Sequence, residues 1–502
     1  MNLSQQTIRA GSWQLAAVAS KVVLQLLVLA VLARYVSPKE FGYIAIANMV
    51  MVFIEMLAEA GIGPAIVQKK DLTGEHIKAG FTLSVGFGIL FVSLLWISAP
   101  FISRFFQSEN LVSIIRYFGL SLLITKLSLV SRSRIEREMR FDTLMKVDVF
   151  SYLFGYALAG IVMAVMGYGV WAIVVGKLVQ CCLQTASLLV KRPVSIIPAY
   201  SISAYKDLLT YGGGLTLVRI FDSIASQGDY FIIGRFLGSS SLGLYERASS
   251  IMGMPGQYLS SVLDKSLFPA MSQVQEESKR LENAFFTASI IVSTFLIPVS
   301  VLMIFVAPEI IAVLLGPNWS ESILPFQILS VTVVFRIFIN ISDTLVRATG
   351  AVYPSAVRRG IFAFLIIVFS WIGQFGGLIH VAVAINIAVF IGYLLMLHLS
   401  VKIIQFKMSD YLKIVLNGFI IGSILLVVIF PLVTVLRMFM TQKIVILAIT
   451  VACSCLLTVS VLVLFPRLMG RLGVEFIGNV IQILPRKNKT IHDFLEMRGK
   501  AQ

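Results

Sequence analysis

The chain predicts an all-α integral membrane fold of about fourteen transmembrane helices, set out as two pseudo-symmetric six-helix lobes followed by two further helices. Three observations lead there. The first is composition: 58% of the 502 residues are hydrophobic and 13% charged, with a mean hydropathy of +0.91, against about 25% charged in an ordinary soluble domain. The second is segmentation. Apolar stretches of the length that crosses a hydrocarbon core, about 17–25 residues, fall at roughly 11–33, 41–66, 79–103, 109–131, 143–166 and 168–190, then at roughly 208–234, 242–268, 284–307, 322–346, 355–373, 376–400, 411–435 and 443–465. The third is an internal repeat. The stretch from Gly11 to Gly42 returns 201 positions later as Gly212 to Gly243, with the turn at Arg34 matched by Arg235 and the polar pair Lys21 and Gln25 matched by Asp222 and Ser226.

Charge fixes an orientation. The formal net charge is +16, but the basic residues are scattered between apolar spans, which is the pattern that sets topology and not the clustered patch of a nucleic-acid binder. With the N-terminus inside, twenty Lys and Arg residues, from Lys69 to Lys413, fall in inside loops; the outside loops hold six, Arg34, Lys39, Arg104, Arg235, Arg437 and Lys443. Both termini are therefore expected on the cytoplasmic side of a multi-pass protein. Residues 1–190 form the expected N-lobe, 191–207 an inside linker stiffened by Pro193 and Pro198, 208–402 the C-lobe and 403–465 the last two spans.

The connections refine this plan. The run to Ala33 is too long for a leader's apolar core, so it reads as a retained first span. Met271 to Asn283 mixes charged and apolar positions and reads as a surface helix, and the 466–502 tail, with Leu468, Leu472 and Phe476 four apart, as an interfacial one. Kinks are expected at Pro64, Pro255 and Pro298, where a backbone donor is missing. Cys181, Cys182, Cys453 and Cys455 all lie in apolar runs and read as buried free thiols.

Ionisable groups at membrane depth cost about 2.5–3.5 kcal/mol on insertion scales, so each requires a partner or a wet cavity. Lys21, Lys177 and Arg336 lie nearest mid-span without an opposite charge at helical spacing, and with Arg219 they make the candidate cationic binding set. Glu55, Glu59, Asp148, Asp222 and Arg247 are candidates for coupling or gating. Several sit in one-face stripes: Asp148, Tyr152 and Tyr156 on the fifth span, and Lys177, Gln180, Cys181 and Gln184 on the sixth. Arg219 and Asp222, three apart, have pairing with each other as an equal alternative, while Lys126, Asp264, Lys265 and Asp343 read better as snorkelling to a surface. Fixed cations in a cavity suit an anionic ligand, phosphate above all.

No phosphate-binding Gly loop, metalloprotease helix or nucleophile elbow is present in the sequence, and no cofactor or metal is implied. Three stretches carry a resemblance. Arg34-Tyr35-Val36-Ser37-Pro38-Lys39-Glu40-Phe41-Gly42, Leu267-Phe268-Pro269-Ala270, and Gly316-Pro317-Asn318-Trp319 before Leu324-Pro325 resemble the Wzx-type polysaccharide flippases, nearest to the colanic-acid-exporter branch of the multidrug/oligosaccharidyl-lipid/polysaccharide superfamily. The resemblance implies two lobes about a central cavity that opens alternately to each side. It implies a substrate of oligosaccharide on undecaprenyl diphosphate, moved across a bacterial inner membrane for exopolysaccharide or lipopolysaccharide synthesis, and as further partners membrane lipids, a polymerase and a chain-length regulator. It implies a transporter and not an enzyme. The alternatives are a cation-coupled small-molecule antiporter of the same fold, which would favour an acidic cavity, and, ranked below it, a membrane glycosyltransferase or ligase, which the short outer loops disfavour.

Overall fold

A computed structural model describes residues 22–59, 61–195, 198 and 201–465, without the side chains of 210–220, 262, 265 and 352. Among the described residues the chain is helical throughout, and no strand occurs. Among the described residues ten helices are long and apolar enough to cross a membrane, or eleven if the stretch Pro317–Ser330 and Thr332–Ala348, bent by 44° about Val331, counts as one span. This is a multi-pass membrane protein. A helix also stands at each of the remaining expected places: Val22–Tyr35, and Ile202–Ile232 and Gly238–Gln273, which carry more Ser, Gly and charge.

The chain divides into two compact units. The first comprises residues Met1–Arg247, Ile311–Ser322 and Ile366–Val381. Its helices are α1 (Val22–Tyr35), α2 (Pro38–Glu59), α3 (Ile62–Gln68), α4 (Gly74–Phe105), α5 (Leu111–Arg137), α6 (Phe141–Ser151), α7 (Leu158–Val165), α8 (Val170–Lys191), α9 (Ile202–Ile232) and the start of α10 (Gly238–Gln273). Between α6 and α7 the backbone widens into a π-helical turn, Tyr152–Ala157.

Two features of this unit depart from the sequence expectation. The second span breaks at Gly61, whose φ of 71° is left-handed, and not at Pro64. Pro64 lies in the first turn of α3, where its missing N–H would have had no helical partner. The second is the way α2 and α10 meet. A Cβ on Gly42 would lie 1.8 Å from the carbonyl oxygen of Ser239, and a Cβ on Gly243 would lie 1.8 Å from that of Pro38. Ser239 and Gly243 are the repeat counterparts of Pro38 and Gly42, so each copy's glycine admits the other copy's backbone. The repeat read from sequence thus appears in space as a reciprocal crossing.

Around that crossing the chain is closely packed. Trp319 is fully buried; its indole N–H donates to the Ala33 carbonyl at 3.0 Å and its ring meets Phe41 edge-on at 5.2 Å. Arg34 donates to the Val313 carbonyl at 3.0 Å, and Glu40 accepts from the Val170 N–H at 2.9 Å. At the opposite end of α2–α3, Lys69 donates to the Asp207 carboxylate at 2.8 Å. His76 reaches the same oxygen through Nε2 at 3.3 Å while its Nδ1 faces the Thr73 hydroxyl at 2.7 Å in a capping box at the start of α4. Lys69 and His76 hold the Asp207 carboxyl below the usual carboxylate range.

The second unit comprises Ala248–Ile310, Ile323–Leu365 and Ala382–Gln502. It holds the rest of α10, α11 (Ser278–Phe305), the first half of α12 (Ala307–Leu314), whose second half belongs to the first unit, α13 (Ile323–Ser330), α14 (Thr332–Ala348), most of α15 (Val352–Gly373) and of α16 (Leu378–Ile404), α17 (Met408–Phe439) and α18 (Lys443–Leu464). Gly418 and Gly422 let α17 lie close on Ser293 and Ile297 of α11. Arg437 at the far end of α17 grips Glu309 through two bonds of 2.8 Å. Residues 271–283 form the adjoining ends of α10 and α11 around a short turn, not a separate surface helix, because the helical runs simply continue past the apolar windows. The helices pass unbroken through Pro255 and Pro298. Of the cysteines, Cys181 alone is buried; Cys182 and Cys455 are exposed and Cys453 is half-buried, since adjacent or alternate helical positions cannot all face inward. The interfacial helix expected in 466–502 lies outside the described residues.

Candidate functional site

The first unit contains two chambers that follow one another along α2. The first, of about 450 Å³, is lined by Phe41, Ile44 and Asn48 of α2, Gln25 of α1, Phe118 and Arg132 of α5, Asp148, Tyr152 and Tyr156 of the α6–π segment, Ile173, Lys177, Gln180 and Gln184 of α8, and Arg247 of α10. The second, of about 630 Å³, is lined by Glu55, Glu59, Gly63, Pro64, Val67 and Gln68 of α2–α3, by Leu122, Thr125, Lys126, Leu129, Arg132, Ser133 and Glu136 of α5, and by Lys177. Lys177 and Arg132 line both. The helical stripes read from sequence therefore converge, because residues four apart on α8 and on the α6–π segment share a face, and both faces turn to one space.

The chambers differ in charge. In the first, three cations, Arg132, Lys177 and Arg247, meet one carboxylate, Asp148. In the second, Lys126, Arg132 and Lys177 meet Glu55, Glu59 and Glu136. Arg132 is held on the wall by two side chains: it donates to Asp148 through both terminal nitrogens at 3.2 and 3.4 Å and to Glu136 through Nε at 3.1 Å. Gln184 donates to the same Asp148 oxygen at 2.7 Å. Lys177 makes no hydrogen bond or ion pair among the described residues, although Glu55 lies within its field and that of Lys126. Arg247 pairs with the neighbouring Glu246 and lies over the Phe41 ring at 5.1 Å, a cation–π contact at the end of the first chamber nearest the glycine crossing.

Comparison with known proteins places this architecture. Residues 31–324, more than half of the chain, match the family model described as "Polysaccharide biosynthesis protein". The chain belongs to the polysaccharide biosynthesis protein family. This family member is 22% identical over 465 residues to the teichuronic acid biosynthesis protein TuaB of Bacillus subtilis strain 168, covering 91% of the chain and 95% of that relative. It is 22% identical over 409 residues to the lipopolysaccharide biosynthesis protein WzxC of Escherichia coli K12, covering 80% and 82%. Its fold is that of the solved lipid II flippase MurJ in an inward closed conformation, with a TM-score of 0.74 at 18% identity over 90% of this chain and 99% of that one. The expected all-α, multi-pass membrane fold is thus the fold observed.

Of the candidate cations in this family member, Lys177 lines both chambers. Lys21 lies outside the described residues, as does the Arg219 side chain. Arg336 belongs to the second unit, on α14, where its Nε is buried and meets no hydrogen-bond partner among the described residues. Glu55 and Glu59 line the second chamber, Asp148 and Arg247 the first; Asp222 lines neither. Lys126 does not snorkel: it is only 6% exposed and faces the second chamber with Glu55 and Glu59. Asp264 and Asp343 are not lone surface-seeking charges either, since Arg347 reaches Asp264 at 2.9 Å and Arg359 reaches Asp343 at 2.8 Å.

Arg132 is the residue the sequence reading missed, because the fourth span was ended at about 131. The helix in fact continues to Arg137, two turns further. A signal was available: Lys126, Leu129, Arg132, Ser133 and Glu136 recur at three- and four-residue spacing and so share one helical face.

Proposed function

We propose that this chain is a flippase for lipid-linked oligosaccharides, moving head groups of the undecaprenyl-diphosphate type across a bacterial inner membrane by alternating access, for polysaccharide synthesis. The observation that carries the reading is the pair Lys177 and Arg132, shared by two consecutive chambers. A diphosphate passing from one to the other would keep a charge-assisted contact throughout, which lowers the barrier to moving a multiply charged group through a low-dielectric region. Arg132, held by Asp148 and Glu136 when no anion is present, can trade those carboxylates for phosphate oxygens of the same geometry. Family membership, the named activities of its relatives and the flippase-like fold support the same assignment.

The lobes of this mechanism are residues 1–190 and 208–402, joined by the inside linker 191–207, with 403–465 outside the repeat and both termini cytoplasmic. Lys21, Arg219 and Arg336 join Lys177 as the cationic set, and Glu55, Glu59, Asp148, Asp222 and Arg247 act in coupling or gating. Membrane lipids, and a polymerase and a chain-length regulator of the same pathway, are the expected partners. The small-molecule antiporter reading is disfavoured by the cationic excess of the first chamber. The test is export in a strain lacking the gene: Lys177→Ala and Arg336→Ala should leave the protein inserted, stop polymer export and accumulate lipid-linked oligosaccharide inside. Normal export from both variants would sink the cationic-site reading.

A further inference from the structure

The first chamber carries a second kind of chemistry that no charge argument uses. Tyr152 and Tyr156 stack on one another at 5.4 Å with their planes 23° apart, and both line the chamber. Both lie on the π-helical turn Tyr152–Ala157, four residues apart and so on one face, and such turns recur at functional sites. The turn is seated against α8 by Gly155, where a Cβ would lie 2.4 Å from the Gln180 Cα, so the tyrosines and the α8 carboxamides are held in fixed register. Gln184 is oriented by its 2.7 Å bond to Asp148. By contrast the Tyr156 hydroxyl, the Gln180 carboxamide and the Asn48 carboxamide make no hydrogen bond among the described residues, although all three line the same space. A pre-set aromatic surface flanked by unspent carboxamides and a hydroxyl is what a pyranose ring requires. Its C–H face is apolar and packs on an aromatic ring, while its equatorial hydroxyls both donate and accept, as amides do.

We infer that Tyr152, Tyr156, Gln180 and Asn48 form a saccharide-binding wall, which reads a sugar ring of the head group while Lys177 holds the anionic part. The inference rests on the flippase reading and adds specificity determinants to it. The wall predicts a preference for the glycosylated lipid over the bare one, lost when the wall is altered.

The test uses the full-length protein in detergent micelles and two probes. One is undecaprenyl diphosphate; the other is the lipid-linked oligosaccharide fraction extracted from the host strain lacking this gene. Binding is read by native mass spectrometry. The wild type should take the glycosylated lipid about tenfold more tightly than the bare diphosphate. Tyr156→Ala and Gln180→Ala should each lose most of that preference with bare-lipid binding within about twofold, and Tyr156→Phe, which keeps the ring, should retain part of it. Lys177→Ala should weaken both probes. A wild type that binds both lipids equally, or variants that weaken both probes alike, would overturn the wall and leave the flippase reading standing. A wild type that binds neither probe would overturn the flippase reading, and the wall with it.

Discussion

Lys177 holds the most informative position of any single residue, because it lines two chambers and makes no hydrogen bond or ion pair among the described residues. Removing it should lower export about a hundredfold or more, to the background of the assay, the loss of two charge-assisted hydrogen bonds to the head group. Lys177→Arg, which keeps the charge, should stay within about tenfold in the same export assay. Arg132 is different: its substitution by Ala removes a ligand contact and also strips Asp148 and Glu136 of their partner. Since Arg132 is 36% and Asp148 27% exposed, the stability cost is modest, about 1–2 kcal/mol, and should appear as a lowered melting temperature of the purified protein alongside lost export. Lys177 was legible in the sequence as a mid-span cation with no helical partner. Arg132 was not, because hydropathy ends a span where apolar residues stop, whereas a helix ends where its backbone bonds do.

The helices and their crossings show the same division between what pattern reveals and what packing decides. Span placement followed from apolar length alone, and the repeat from matched glycines and arginines. The reason for the matched glycines was not legible: a sequence shows that Gly42 and Gly243 correspond, but not that each lies under the other copy's backbone. Gly42→Ala and Gly243→Ala should each destabilise the folded protein by about 1–3 kcal/mol. The double variant should cost less than the sum, because the first methyl already separates α2 from α10; additive losses in thermal unfolding would show that the two contacts are independent. The break at Gly61, taken from Pro64 in the sequence reading, has the same origin, a left-handed backbone position that pattern alone cannot place. The Lys69–Asp207–His76 cluster ties α9 to the loop before α4 through an exposed carboxylate. The Asp207 carboxyl is depressed in the folded protein, so its contribution is present above the free carboxylate's range and is lost as pH falls through the folded-state value. Hydrogen exchange in residues 69–76 should therefore differ between wild type and Asp207→Asn at pH 7, and the difference should shrink as pH falls below the free carboxylate's range and through the depressed folded-state value. No difference between the two proteins at pH 7 would mean the carboxylate is not what holds the loop.

At the scale of the whole molecule, the account rests on how charge is distributed along the path. The first chamber has a cationic excess and sugar-compatible walls, the second has matched charges, and the same lysine and arginine serve both. An antiporter for cationic drugs would gain nothing from that excess. On the proposed function, what moves is an anionic, polyhydroxylated head group whose lipid tail remains in the bilayer. The most direct measurement is translocation itself. The purified chain is reconstituted in proteoliposomes carrying lipid-linked oligosaccharide from the export-deficient host in both leaflets, and the fraction open to a membrane-impermeant glycosidase is followed over time. The wild type should expose the pool initially confined to the inner leaflet at a rate far above protein-free vesicles, and Lys177→Ala should bring that rate down to the background. A wild type no faster than empty vesicles, or a Lys177→Ala protein as fast as the wild type, would contradict the account.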